Sequence, residues 1–289
     1  MSAFDDDLLP DLAAERVFYA AGALLTEDDF RTEQRYHRGR LGRVLAYLHG
    51  AGTIAGLNVR VEPESGADAE IKVSPGIAID RLGRLIELPY EACLGIARWY
   101  EQQLETELER DRLSAAFREG SGGAPDHVVV DVFARFIACE REPQPAFADT
   151  GADNLNGIQP SRILDAVRLS LVLRHRDDDL AAISPRPEGP AAVDAEGIRR
   201  FKREQLWQTL QLEQQDPPRL PLGPEHVPHV PILHDGSEML LGRVRIPSLR
   251  EPGEQLPRFD PNQPARFDED VRLYAYAARE LALLHGLDR

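Results

Sequence analysis

The spacing of the apolar residues changes from a helical period to a strand period around Gly50. Before this glycine, four aliphatic side chains follow the i, i+3, i+4, i+7 spacing of one helix face: Leu41, Val44, Leu45 and Leu48. After it, the apolar runs are short and are separated by glycine, proline and aspartate. This change predicts a long helix followed by a small antiparallel sheet, and therefore a fold of the α+β class.

The long helix is predicted to start at Thr26 and to run to about Leu48. Thr26 can cap it, and residues 27–29 are acidic and lie near the positive end of the helix dipole. Gly50 follows the last turn, and glycine readily adopts the left-handed conformation that ends a helix. Arginines populate the other faces of the helix: Arg35, Arg38, Arg40 and Arg43.

The next segment is predicted to form a β-meander or small sandwich and then a second helix. Proline, aspartate and glycine mark tight turns at residues 74–76 and 80–83. The second helix is expected over residues 90–118, ahead of a glycine-rich run. The predicted strands cover residues 54–61, 71–73, 77–79 and 85–88.

Eight residues of this first part are expected to fix turns or close approaches of the backbone rather than to carry chemistry. Among them, Asp80 and Arg84 are expected to shape a hairpin. The eight are Gly22, Gly50, Gly52, Gly56, Gly76, Asp80, Gly83 and Arg84.

Three further strands are predicted at residues 127–139, 167–173 and 240–246, and we expect them in one mainly antiparallel sheet with flanking helices. Alternation along the last two strands directs one set of polar side chains away from the core. This outward set is Arg168, Ser170, Arg174, Arg243 and Arg245.

The segments between these strands differ in composition. Residues 142–161 resemble a loop, and residues 194–215 have a helical pattern. Residues 216–231 contain too much proline for a helix or a central strand. A last helix is expected over residues 268–285, docked on the body of the protein.

The chain has 289 residues, of which 42% are hydrophobic, and this is enough for one large domain or two modest ones. The glycine-rich run at residues 120–123 is the predicted linker. We therefore expect an N-terminal unit at residues 1–119 and a C-terminal α+β unit at residues 124–289.

Charge and cysteine content restrict the partners and the compartment. The formal net charge is −15, from 49 acidic and 34 basic residues, so nucleic-acid binding is not expected. Cys93 and Cys139 are far apart and match no metal-ligand spacing, which fits a reducing compartment. The acidic N-terminus differs from a secretory signal, and the apolar stretch at residues 20–25 is too short to cross a bilayer. We expect a cytoplasmic protein.

No common catalytic motif is present: no glycine-rich phosphate loop with its lysine, no Gly-x-Ser-x-Gly, no His-Glu-x-x-His and no Cys-x-x-Cys. We therefore expect no catalytic residue, no metal and no cofactor. A hydrolase or other enzyme with an unfamiliar site is the first alternative, and it requires residues such as Glu33, His37 and His49 to converge in a deep pocket. A small-ligand or carbohydrate-binding module is the second alternative, with exposed Trp99 or Trp207 as its sign, although both fall in predicted helices.

Two segments bear a partial likeness to metal sites. His226, His229 and His234 are close in sequence, but no cysteine or glutamate pair completes a coordination shell. The loop at residues 149–157 has the asparagines and glycine of a calcium loop, yet Ala152 occupies the position of the first carboxylate. An ordered polar loop is the favoured interpretation of this second segment.

Several ordered segments resemble a known family. They read FYAAGALLTEDDF at residues 18–30, EQRYH at residues 33–37, LHGAGTIAGL at residues 48–57 and VSPGIAID at residues 73–80. Weaker matches follow at residues 83–86 and 160–163. Together they resemble a largely uncharacterised family of bacterial proteins encoded among contractile injection systems, which are phage-tail-like particles with a sheath, a tube and a baseplate.

The resemblance implies a structural or docking component of such a particle, acting through protein–protein contacts with baseplate, tube, sheath or fibre proteins, as a homo-oligomer or in a hetero-assembly. Relatives often carry cysteines in the loop before Ser161, whereas this chain has none after Cys139, so no metal or disulfide role is inferred for that loop. Residues 2–11 and 216–231 are the segments expected to become ordered on a neighbouring protein.

Overall fold

The structure of the chain is a computed structural model. The fold is α+β, with an N-terminal helix, a small β-meander and then a larger antiparallel sheet, which confirms the predicted class. Isolated positions between 196 and 211 are helical, as the sequence predicts for that segment. Apart from these and residue 280, the residues described are 3–4, 15–146, 157–178, 237–268 and 271–277.

The first part of the chain contains the long helix and two small sheets. Its elements are β1 (Ala3–Phe4), α1 (Glu27–His49), β2 (Gly52–Gly56), β3 (Val59–Glu62), β4 (Glu70–Val73), β5 (Gly76–Ile79), β6 (Leu85–Leu88) and β7 (Ala92–Gly95). One antiparallel sheet has the order β2-β5-β6, and the other has the order β3-β4-β7. The predicted helix and the antiparallel meander after it are both confirmed.

The single strand predicted at residues 54–61 is two strands in the structure. Gly56 and Leu57 have φ values of 65° and 54°, a left-handed conformation that interrupts a strand. Because the chain turns at these two residues, β2 pairs with β5 whereas β3 pairs with β4.

The prediction of one helix over residues 90–118 is wrong. This region contains β7, α2 (Ile96–Gln102), α3 (Glu107–Ala116) and the two-residue strand β8 (Phe117–Arg118). A cap starts the second of these helices, because the Thr106 side chain accepts a hydrogen bond from the backbone N–H of Glu109 at 3.2 Å.

The larger sheet is built on one long strand. Its remaining strands are β9 (His127–Ala146), β10 (Gly157–Leu173), β11 (Met239–Leu249), β12 (Arg258–Phe259) and β13 (Arg266–Asp268). β9 pairs with β1, β8, β10 and β11, and β11 also pairs with β12 and β13, all antiparallel. The three strands predicted for this half therefore lie in one antiparallel sheet, as expected.

The described residues of the loop predicted at residues 142–161, which are 142–146 and 157–161, are strand. β9 continues to Ala146 and β10 begins at Gly157, and these two residues pair at the far end of the ribbon. Each strand satisfies the backbone hydrogen bonds of the other. A polar segment that contains proline can therefore form a two-stranded ribbon even though its sequence lacks the alternation of apolar and polar residues that indicates a strand.

Residues 271–277 are not helical, which corrects the first part of the helix predicted from residue 268. The backbone N–H of Thr53 donates to the Leu273 carbonyl at 2.8 Å, and the N–H of Ala275 donates to the Thr53 carbonyl at 3.0 Å. The segment therefore runs parallel beside β2. This pairing engages backbone N–H and carbonyl groups of the segment that a helix would need for its own hydrogen bonds.

One hydrophobic core joins the small sheets to the larger sheet. Leu57, Ile71 and Ile86 from the small sheets are fully buried in the same cluster as Val128 and Val130 of β9. The two units predicted from the sequence therefore share their core.

The turn between β5 and β6 is held by a buried ion pair. Arg84 Nε donates to Asp80 Oδ2 at 2.6 Å, and both side chains are almost fully buried. The other carboxylate oxygen of Asp80 accepts from the backbone N–H groups of Leu82 at 2.9 Å and Arg84 at 2.8 Å. Arg84 also donates to Ser237 Oγ at 2.5 Å, which ties this hairpin to the start of β11.

A second buried ionic cluster lies on the larger sheet. Asp131 accepts from Arg174 Nε at 2.5 Å and from Arg243 Nε at 2.8 Å. The sequence predicts both arginines to face outward, and both are buried instead, whereas Arg245 is exposed as expected. The reason is that Asp131 lies directly opposite Arg243 in the sheet, so one carboxylate compensates two guanidinium charges away from water.

We expect Asp131→Ala to lower the free energy of unfolding by about 3–5 kcal/mol, because it leaves two buried guanidinium groups without their carboxylate. Arg258→Ala removes an exposed ion pair with Glu254, so its cost should be below about 1 kcal/mol. Urea unfolding of the two variants measures the difference. Equal losses would show that the buried cluster contributes no more than a surface pair.

Candidate docking surface

Both ends of α1 are fixed by local hydrogen bonds. The backbone N–H and the hydroxyl of Thr26 donate to Asp29 Oδ2 at 2.7 and 2.8 Å. These bonds lower the pKa of the Asp29 carboxyl, because they stabilise its charged form. At the other end, the backbone N–H of Gly50 donates to the Ala46 carbonyl at 3.0 Å.

α1 meets the rest of the chain through a glycine. Gly42 is the one buried residue of this 23-residue helix. A Cβ at Gly42 would lie 2.8 Å from the carbonyl oxygen of Leu82, and a Cβ at Gly83 would overlap the Gly42 carbonyl. Gly83 also has a φ of 78°, so the close approach of the two backbones requires glycine on both sides.

Four large apolar side chains of α1 lie on the side turned away from Gly42, at about 100° of helix rotation per residue, whereas Leu45 lies nearer to Gly42 and is half-buried. They are exposed: Phe30 by 53%, Leu41 by 62%, Val44 by 52% and Leu48 by 73%. An apolar stripe that does not pack on its own chain is a candidate contact surface.

The stripe has the spacing of a coiled-coil interface. Alternating steps of four and three residues, typical of a and d positions, connect six residues, which we call the seam: Phe30, Gln34, His37, Leu41, Val44 and Leu48. The C-terminal half of the seam is apolar, and its middle carries an amide and an imidazole. Polar groups at such positions specify register and partner at a cost in stability.

The flanks of the seam are basic. Residues 34–49 contain four arginines and no acidic residue, although the whole chain has a net charge of −15. Arg31, Arg38 and Arg40 occupy the e and g positions beside the seam and are exposed. Glu33 is the one acidic residue at these flanking positions. The surface is therefore apolar along its centre and positive along its edges.

The three residues required by the enzyme alternative lie on this open helix rather than together in a pocket. Glu33 Oε1 is 3.9 Å from His37 Nε2, but the His37 side chain is 71% exposed. The Tyr19 hydroxyl donates to Glu33. His49 is exposed and lies about 18 Å farther along the helix, at 1.5 Å per residue.

The remaining candidate residues show no shared site. Trp99 is half-buried in α2 and packs on the core, and Trp207 lies outside the described residues. Cys93 is exposed and Cys139 is buried, and both are free thiols.

Within the described ranges, no group of three or more histidine, cysteine, aspartate or glutamate side chains could hold a metal ion. The loop at residues 149–156 falls outside those ranges. The three-histidine segment, with His226, His229 and His234, falls outside them as well.

The residues expected to fix turns lie at turns or close approaches. Gly22, Gly50, Gly56 and Gly83 have positive φ, and Asp80 and Arg84 form the buried ion pair of the β5–β6 turn. A Cβ at Gly52 would collide with the backbone of Tyr274, and one at Gly76 would collide with that of Leu57. None of these residues belongs to the seam, although Gly83 seats the helix that carries it.

Sequence reasoning identified the aliphatic face of α1 but not the side of the helix that meets the body. Two signals in the sequence indicate it. Small residues recur on the other side at Gly39, Gly42 and Ala46, and a helix that packs through small residues leaves its large ones outside. The regular four-three spacing is the second signal.

No protein-family model matches the chain, and no curated protein matches it. Among the described residues, none of the helices combines the length and the apolar character needed to cross a bilayer.

Two glycine substitutions in α1 test how the helix is seated. Gly39→Ala meets open space and should stabilise the protein by up to about 1 kcal/mol, because alanine has the higher helix propensity. Gly42→Ala gains the same propensity but forces the helix away from Leu82, so it should lower the midpoint of urea unfolding. Equal stabilisation by the two substitutions would contradict the seating of α1 at Gly42.

Proposed function

We propose that this protein is a docking component of a larger protein assembly and that the seam of α1 is its main contact surface. The exposure of the apolar side chains of the seam is the observation that supports this proposal. Each of its four large apolar side chains would contribute about 1–2 kcal/mol on burial, because half to three-quarters of each is still exposed. A structural partner that covers the seam would recover this free energy.

The partner we propose is an acidic amphipathic helix. Apolar side chains at its own a and d positions would pack on Leu41, Val44 and Leu48. Acidic side chains at its flanking positions would meet the exposed arginines beside the seam, Arg38 and Arg40 among them.

A second copy of α1 is a less favourable occupant. Whether the two helices run parallel or antiparallel, pairing would bring residues 34–49 of one copy beside the same four-arginine segment of the other. Like charges at flanking positions weaken helix association, whereas an acidic helix turns the same positions into attractive pairs.

The assembly we propose is a contractile, phage-tail-like particle put together in the cytoplasm. The resemblance at residues 18–30 and 33–37 covers the first part of the seam, and the resemblance at residues 48–57 begins at its last residue. Baseplate, tube, sheath and fibre proteins are the candidate sources of the acidic helix.

A designed heptad peptide with Leu at a and d and Glu at e and g should bind the protein, and a matched peptide with Lys at e and g should not. Fluorescence anisotropy of the labelled peptides measures both affinities. Leu41→Glu should weaken binding of the acidic peptide at least about tenfold, because it places a charge in the middle of the buried stripe. High salt should weaken it as well.

Leu108→Glu is the matched control. Leu108 lies on α3, another helix, and is 60% exposed against 62% for Leu41, so the substitution changes residue type and net charge identically. The Leu108→Glu variant should bind the acidic peptide with the same affinity as the unsubstituted protein. Equal binding of the acidic and basic peptides, or equal loss in both variants, would overturn the proposed surface.

A further inference from the structure

The larger sheet carries a basic patch on the face turned away from the hydrophobic core. Even-numbered residues of β9, such as Val128 and Val130, point into the core, so His127 lies on the other face. Arg118 of β8 is directly opposite His127, and Arg245 of β11 is opposite Val129 on that same face. Register alone therefore gathers these cationic groups on one side of the sheet.

Arg245 and Arg266 are an unusual pair on this face. They are direct cross-strand partners, so their Cβ atoms lie about 4.5–5.5 Å apart, and like charges at such positions repel. Two residues away along β11, Arg243 is compensated by Asp131. Within the described part of the chain, neither Arg245 nor Arg266 has an acidic partner or a side-chain hydrogen bond.

The two arginines line a small cleft beside His127. The cleft is small, with a cavity volume of about 40 Å³, and prolines form its walls at positions 125, 247 and 264. His127 Nδ1 lies 3.2 Å from the Pro125 carbonyl oxygen, which engages that nitrogen and leaves Nε2 for another partner. Three nitrogen-bearing side chains thus share one concave, proline-walled space.

The electrostatics of the cleft favour a negatively charged ligand. Burial lowers the pKa of His127, and the hydrogen bond to the Pro125 carbonyl opposes this shift. The positive charges of Arg245 and Arg118 lower the pKa further, and Asp126 opposes them weakly. The Asp126 carboxylate is engaged elsewhere, because it accepts from the backbone N–H of Gly120 at 2.8 Å. An anion between the arginines would compensate their repulsion.

We propose that this cleft binds an oxyanion of the phosphate type, held by Arg245, Arg266 and His127. A phosphate group carries between one and two negative charges at neutral pH and offers several acceptor oxygens to the two guanidinium groups. Its remaining P–OH can donate to Nε2 of His127, which accepts because Nδ1 donates to the Pro125 carbonyl, and a carboxylate has no such donor. This site is separate from the seam, so it does not depend on the proposed docking function.

The test is a titration of the purified chain with inorganic phosphate, followed by 31P line broadening at constant ionic strength. Binding should saturate, and it should raise the pKa of His127, measured from its imidazole NMR signals, because the bound anion stabilises the imidazolium. Arg245→Gln and Arg266→Gln should each weaken phosphate binding about tenfold. Arg266→Lys should lose less, since it keeps the charge but not the guanidinium fork.

Arg258→Gln is the control, because it removes the same charge from an exposed arginine on the neighbouring strand β12, and its phosphate affinity should be unchanged. Circular dichroism establishes that each variant is folded. Acetate binding as tightly as phosphate would overturn the assignment to a phosphate-type anion. Broadening that never saturates, or that the control reduces as much as Arg245→Gln does, would overturn the site itself.

Discussion

The buried ion pair between Asp80 and Arg84 holds the turn at which three parts of the molecule meet. Within that turn, Gly83 provides the backbone surface on which Gly42 of α1 rests. The same Arg84 side chain reaches Ser237 at the start of β11, and its guanidinium lies 5.1 Å from the ring centre of Phe136 in β9. The helix, the meander and the larger sheet therefore all depend on one hairpin. The contact of α1 with this hairpin brings no apolar side chain of α1 into the core.

This arrangement explains why α1 presents its apolar side to solvent. The contact at Gly42 is a close approach of two backbones, which excludes side chains from the interface and turns the seam away from the body. The basic groups are unevenly distributed. They collect on the flanks of α1 and in the cleft at Arg245 and Arg266, although the chain as a whole is acidic. We interpret both places as surfaces for negatively charged partners.

Much of the fold could be predicted from local signals, and the failures have physical causes. The caps of α1 and the turn at Asp80 are short-range features, so the sequence predicts them correctly. The burial of Arg174 depends on Asp131, 43 residues away, and no local alternation indicates that contact. The seating of α1 and the pairing of Arg245 with Arg266 likewise arise only when distant segments are brought together.

The most direct measurement is the light-scattering mass of the purified protein, alone and after mixing in turn with the sheath, tube, baseplate and fibre proteins of a contractile injection system. We expect a monomer alone and a stoichiometric complex with one of these proteins, through an acidic helix that covers the seam. A chain that keeps its monomer mass with every particle protein would contradict the docking function. A discrete homo-oligomer of the chain alone would contradict the acidic partner and assign the seam to a second copy.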